Sequence, residues 1–146
     1  MSSRPKVTGI MESALYVADL DRSLDFYQRV FGFPTIVRQG DRVHALRVSD
    51  HQILLLFLKG CCRKPYVLPN GKIPSHDGQG TLHFAFSIEK HEVQHWRDWL
   101  SELNIPISSE VEFSEGRRSI YLRDPDDHLV ELATPGIWDV YEEMAG

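Results

Sequence analysis

Thr81-Leu-His-Phe-Ala-Phe-Ser-Ile88 and Asp124-Pro-Asp-Asp-His-Leu-Val-Glu-Leu-Ala133 are the two stretches on which the reading of this chain turns. Successive side chains of a strand point to opposite faces. In the first stretch His83, Ala85 and Ser87 therefore share the less apolar face. In the second, Glu131 lies opposite the face of Val130 and Leu132. Each strand aims one metal-competent group away from its apolar side, towards what would be a cavity.

The first half of the chain repeats this plan. Met11-Glu-Ser-Ala-Leu-Tyr-Val17 matches the first stretch, with Glu12 in the place of His83. Gln52-Ile-Leu-Leu-Leu-Phe57 matches the second, with Leu55 in the place of Glu131. The step from Leu46 to Leu55 is nine residues against ten from Tyr121 to Glu131, which leaves one residue of slack. After the first strand, Leu24, Tyr27, Val30 and Phe31 recur at helical spacing, with Asp19 or Asp21 to cap the start and Gly32 to end it. The second helix spans 89–103, on a stripe of Val93, Trp96, Leu100 and Leu103, with Asn104 as terminator. Further strands are expected at 35–38, 43–48 and 52–58, then at 107–113, 118–123 and 128–133.

That order predicts one α+β domain over 1–146, in which two βαβββ modules curl into an incomplete β-barrel around a cleft, helices outside. Module one is 10–58 and module two 81–135. Residues 59–80, rich in Pro and Gly, read as a linker that covers the site, and 136–146 as a C-terminal tail. Trp138 and Tyr141 in that tail are large enough to dock against the body or a partner. Sheet edges left open by such a fold invite pairing, so a homodimer is expected.

Bulk properties narrow the function. A length of 146 residues suits one domain with a real core. The net charge of -5 and the lack of a basic block argue against nucleic acid as partner. No apolar run resembles a signal peptide, and the longest, 53–58, is too short to span a bilayer, so the cytoplasm is expected. Cys61 and Cys62 are adjacent and cannot staple distant segments; they read as loop residues.

Glu12, His83 and Glu131 make a set of oxygen and nitrogen donors suited to one divalent ion per site: Fe²⁺, Mn²⁺, Ni²⁺, Co²⁺ or Zn²⁺. Leu55 cannot coordinate, so the site would have three protein ligands and open positions for a small-molecule substrate. Other fates exist for each residue. Glu131 in an apolar strand is costly to bury unless paired or coordinated. A strand histidine such as His83 can hydrogen-bond within a core, and Glu12 can be solvated or meet an arginine. Tyr121 and Ser119 share parity on the strand beside Glu131 and can donate hydrogen bonds into the cavity. Arg47 and Arg118 are candidates for a substrate carboxylate. His76, in the 59–80 segment, and His44 are acid–base candidates, whereas His51, His91, His95 and His128 read as solvated.

The pattern resembles the vicinal oxygen chelate superfamily, the glyoxalase/bleomycin-resistance/extradiol-dioxygenase fold. The resemblance rests on Leu15-Tyr-Val-Ala-Asp-Leu-Asp-Arg-Ser-Leu-Asp-Phe-Tyr-Gln-Arg-Val-Phe-Gly-Phe33, on Leu82-His-Phe-Ala-Phe86 and on Ser119-Ile-Tyr-Leu-Arg-Asp-Pro-Asp-Asp-His-Leu-Val-Glu131. It implies metal ligands at Glu12, His83 and Glu131, with a fourth position, used in glyoxalase I, held here by Leu55. Glu12 stands where the superfamily commonly has histidine, which places the chain with a Glu-first subgroup. This departs from the extradiol dioxygenases and the thiol-transferring fosfomycin-resistance enzymes. The resemblance also implies a homodimer, in some members with sites shared between chains. The expected function is a metal-dependent enzyme acting on neighbouring oxygens. Dioxygenase-like chemistry stands slightly ahead of a glyoxalase-like lyase or isomerase, with Glu131 or a pocket histidine moving the proton. The alternative is a metal-free, drug-binding protein of the bleomycin-resistance kind.

Overall fold

Asp19 opens the first helix because its side chain accepts from the Arg22 N–H at 2.9 Å, satisfying a donor that the helix itself leaves free. Helix α1, Leu20–Phe31, ends at Gly32, whose φ of 70° is the left-handed cap that glycine adopts without strain. Its apolar stripe, including Leu24, Tyr27 and Val30, is buried. The computed structural model describes residues 3–139. Two compact units divide between Gln79 and Gly80.

In the first unit α1 follows β1, Glu12–Val17, and precedes β2, Thr35–Gln39, β3, Val43–Ser49, and β4, Gln52–Leu58. The sheet order is β1-β4-β3-β2, with β1 parallel to β4 and the other pairs antiparallel. A small hairpin of β5, Tyr66–Leu68, and β6, Gly71–Ile73, lies in the segment expected to be only loop. The second unit repeats the plan as β7, His83–Ser87, α2, Val93–Glu102, β8, Ser109–Glu112, β9, Arg118–Arg123, and β10, Leu129–Ala133. Its sheet order is β7-β10-β9-β8, again with one parallel pair. The α+β class and the two βαβββ modules are thus as read.

Register sharpens the repeat. Leu55 pairs with Ala14 and Ala45, as Glu131 pairs with Ala85 and Tyr121. Ala45, not Leu46, is therefore the counterpart of Tyr121, and the supposed slack of one residue disappears. Glu12 pairs with Ile53 as His83 pairs with Leu129, so the equivalence of Glu12 and His83 holds.

Segment 59–79 is packed against the first unit's own sheet. Cys62 is buried with Val43 and Phe57, and Tyr16, Leu55 and Cys61 pack against them. The His76 N–H donates to the Cys62 carbonyl at 2.8 Å, and His76 Nδ1 meets the Tyr16 hydroxyl at 2.8 Å. Gly78 passes so close to the Tyr16 ring that a Cβ at this position would overlap it. Both cysteines are free, with their sulfurs 2.9 Å apart. Burial, first, and the hydrogen bond to Cys62 push the Cys61 thiol up to about 11, which keeps it from acting as a nucleophile near neutrality. Cys62 is a core residue, because the segment turns inward there. No helix among the described residues is long and apolar enough to cross a membrane.

Candidate functional site

Strand parity and register put His83, Ser119, Tyr121 and Glu131 on one face of the second unit's sheet. The opposite face is core: Ile120, Leu122, Val130 and Leu132 are fully buried. Glu131 follows β10 into this core edge with its side chain only 13% exposed. A carboxylate there needs partners. Its Oε1 accepts from the Ser119 hydroxyl at 2.5 Å and from the Tyr121 hydroxyl at 3.3 Å. Its Oε2 faces His83 Nε2 at 3.3 Å.

The protonation of His83 follows from its other nitrogen. Nδ1 lies 3.0 Å from the Leu129 carbonyl, which can only accept, so Nδ1 carries the hydrogen. In the neutral ring Nε2 then presents a lone pair straight at a carboxylate oxygen. Two acceptors held this way call for a positive charge between them: a second ring proton or a metal ion. Donors about 2.1 Å from an ion and at right angles around it sit about 3 Å apart. The pair thus suits a divalent ion, with His83 half exposed on the open side. It has no third His, Cys, Asp or Glu beside it in its own unit among the described residues.

Tyr121 supplies a proton donor. Burial, the largest cause, and the Glu131 carboxylate hold its phenol above the usual value near 10, opposed by the Ser119 hydroxyl. A phenol whose folded pKa is raised contributes stability that is present below the unfolded pKa and lost as pH rises through the folded one. We expect phenolate absorbance to show a late tyrosine step that disappears in Tyr121→Phe. The step should move to lower pH in Glu131→Gln, which removes the neighbouring charge. An unchanged titration in Tyr121→Phe would refute this placement.

The turn before β10 places these groups. His128, expected to be solvated, is fully buried. Its Nδ1 accepts from the Leu82 N–H at 2.9 Å, and its own N–H donates to Asp124 Oδ1 at 2.9 Å. The Leu82 carbonyl in turn accepts from the Leu129 N–H at 2.8 Å. Asp127, at φ 64°, lets the chain turn back. His128 therefore locks the start of β7, and with it His83, to the start of β10.

The other candidates each have surroundings of their own within their unit. Glu12 is exposed at the start of β1, and His76 is held by Tyr16 and Phe57, both in the first unit. His44 is buried, with Nδ1 on the Val43 carbonyl and Nε2 3.6 Å from Asp21. Arg47 lies 3.9 Å from Asp50, and Arg118 pairs with Glu112 at 3.0 Å. Within the second unit a cavity of about 400 Å³ opens on Tyr121 and Glu131 and is lined by Phe113, Ser114, Arg117, Ile137 and Trp138. Sequence reasoning missed these residues as a site. The turn signals at Gly116 and Pro135-Gly136 sit beside them, yet a turn does not announce which side chains it gathers. Trp138 is 75% exposed rather than docked on the body, and Tyr141 lies outside the described residues.

Residues 9–132 match the family model of the Glyoxalase/Bleomycin resistance protein/Dioxygenase superfamily. The metallothiol transferase FosB of Staphylococcus saprophyticus is 38% identical over 124 residues, which cover 84% of this chain and 74% of that protein. Fosfomycin resistance protein FosX of Listeria monocytogenes is 28% identical over 127 residues, covering 86% of this chain and 89% of that one. The crystal structure of lactoylglutathione lyase from Agrobacterium tumefaciens superposes with a TM-score of 0.82 at 32% identity, covering 92% of this chain and 99% of that chain.

Proposed function

Because this chain belongs to the Glyoxalase/Bleomycin resistance protein/Dioxygenase superfamily, we propose that it is a metal-dependent enzyme modifying a small molecule with neighbouring oxygens. The observation that carries this reading is the lone pair of His83 Nε2 aimed at the Glu131 carboxylate across 3.3 Å. Those two groups would hold the ion, with Glu12 of the first unit as the third ligand. When bound, a divalent ion supplies Lewis acidity that stabilises negative charge developing on substrate oxygens. The chain's own groups do the rest. The Leu129 carbonyl fixes the His83 tautomer, and Ser119 and Tyr121, the latter kept protonated, hold Glu131 in place by donating to its Oε1. Glu131 is the proton carrier in this scheme, set beside Tyr121 in the wall of the cavity. His76, whose Nδ1 meets the Tyr16 hydroxyl in the first unit, is the alternative proton carrier.

For reaction type, the names metallothiol transferase and lactoylglutathione lyase among similar proteins support group-transfer or lyase chemistry more than the dioxygenase chemistry expected from the open coordination positions. The homodimer expectation belongs to this reading too, supported by the exposed Val7, Ile10 and Met11. A monomer by light scattering at all concentrations would remove it. The main test is metal content. Purified protein dialysed after loading with Mn²⁺, Fe²⁺, Ni²⁺ or Zn²⁺ should keep about one equivalent per chain of at least one of them. Retention of none would overturn the proposal, and metal-free ligand binding would take its place.

A further inference from the structure

The cavity beside Glu131 has a composition that selects its ligand. Its inner end carries Tyr121 and Glu131, whose chemistry is described above. The remainder combines an aromatic and aliphatic wall with one guanidinium: Phe113, Ile137 and Trp138 against Arg117. This wall is built, not incidental. Thr134 clamps the chain leaving β10 to the start of β9, accepting from the Arg118 N–H at 2.9 Å and donating its own N–H to the Arg118 carbonyl at 3.0 Å. Gly136 then turns with φ 87°, and a Cβ there would come 3.0 Å from Arg117 Nε. Beyond that close approach Ile137 and Trp138 line the same cavity as Arg117. Across the cavity, the β8–β9 turn is closed by the Phe113 N–H donating to the Arg117 carbonyl at 2.8 Å, which sets Phe113 beside the same arginine.

Two features point to what fills the cavity. Trp138 leaves 75% of its surface exposed and Phe113 39%, so the wall offers aromatic faces that gain most by covering a flat apolar group. Arg117 meets Glu115 at 2.6 Å, but Glu115 is itself mostly exposed, and a guanidinium has donors to spare for a second anion. We propose that the substrate is an anion with a flat apolar body, the body lying against Trp138, Phe113 and Ile137 and the anionic group reaching Arg117. This inference rests on the proposed function for the direction in which the reacting oxygens point, towards Glu131, but not for the binding of body and anion.

The probe is 1-hydroxy-2-naphthoate, which has the flat body, the anionic charge and neighbouring oxygens. Its fluorescence is titrated with chelator-treated and with Mn²⁺-loaded protein. Binding is expected in both forms. Trp138→Ala and Arg117→Gln should each weaken it about tenfold, as befits loss of one buried aromatic contact or one charged hydrogen bond. Trp138→Phe, which keeps a ring, should recover most of the loss. Orthophosphate, which has charge without a body, should not displace the probe at equal concentration. Loss of metal retention with naphthoate binding intact would count against the metal reading alone. The present proposal is overturned if Trp138→Ala and Arg117→Gln bind as wild type, if phosphate competes on equal terms, or if neither form of the protein binds the probe.

Discussion

Glu131→Gln is expected to lose its divalent ion on dialysis while wild type keeps it. The substitution preserves volume and leaves an oxygen to accept from Ser119 and Tyr121, so the fold should persist. What it removes is the negative charge facing His83 Nε2 at 3.3 Å. Even partners one step removed from a metal are worth about 10–100-fold in affinity, so loss of a charged ligand should cost on the order of 100-fold or more. Ser119→Ala tests the step removed. The hydroxyl is fully buried and orients Oε1, so its loss should weaken metal binding by about 10-fold or more without removing a ligand. Because protons compete for the same lone pairs, wild-type affinity should fall as the solution is acidified. Leu55→Ala, at the equivalent position of the first unit, should leave the stoichiometry unchanged. Equal metal retention by wild type and Glu131→Gln would show that the carboxylate is there for the hydroxyl network alone.

His128→Ala is expected to produce the largest loss of stability among substitutions near the site. It opens a cavity where a fully buried ring stood and leaves the Leu82 N–H without its acceptor. Cavity formation and the loss of this part-buried hydrogen bond together should cost about 2–5 kcal/mol. The measurement is the denaturant midpoint at constant slope. His128→Gln should recover part of the loss, since an amide oxygen can accept from the same N–H. Any metal-binding defect should follow the stability, because His128 acts on His83 through the starts of β7 and β10. A shift below about 0.5 kcal/mol, typical of exposed positions, would return His128 to the solvated role that its sequence neighbours suggested.

That misreading marks where local sequence stops being informative. Alternation alone separated the Val130 and Leu132 face from the Glu131 face, because a strand's period is set by backbone geometry and survives in any tertiary context. The helix end at Gly32, and a start at Asp19 or Asp21 of which the structure uses Asp19, were legible for the same reason: capping depends on one residue's own conformation and hydrogen bonds. The duplicated βαβββ order and the equivalence of Glu12 and Leu55 to His83 and Glu131 followed from spacing. His128 was not legible, since Asp-Pro-Asp-Asp-His reads as a solvated turn until β7 arrives beside it and its Leu82 N–H demands an acceptor. Pairing register likewise decided that Ala45 answers Tyr121, which spacing had missed by one residue. Residues 59–80 read as a linker that covers the site because Pro and Gly report only backbone freedom. The buried Cys62 and the contact of Gly78 with Tyr16 show the segment folded onto its own sheet. The wall of Phe113, Arg117, Ile137 and Trp138 was least visible of all. It joins two turns far apart in sequence, and only tertiary folding brings their side chains around one cavity.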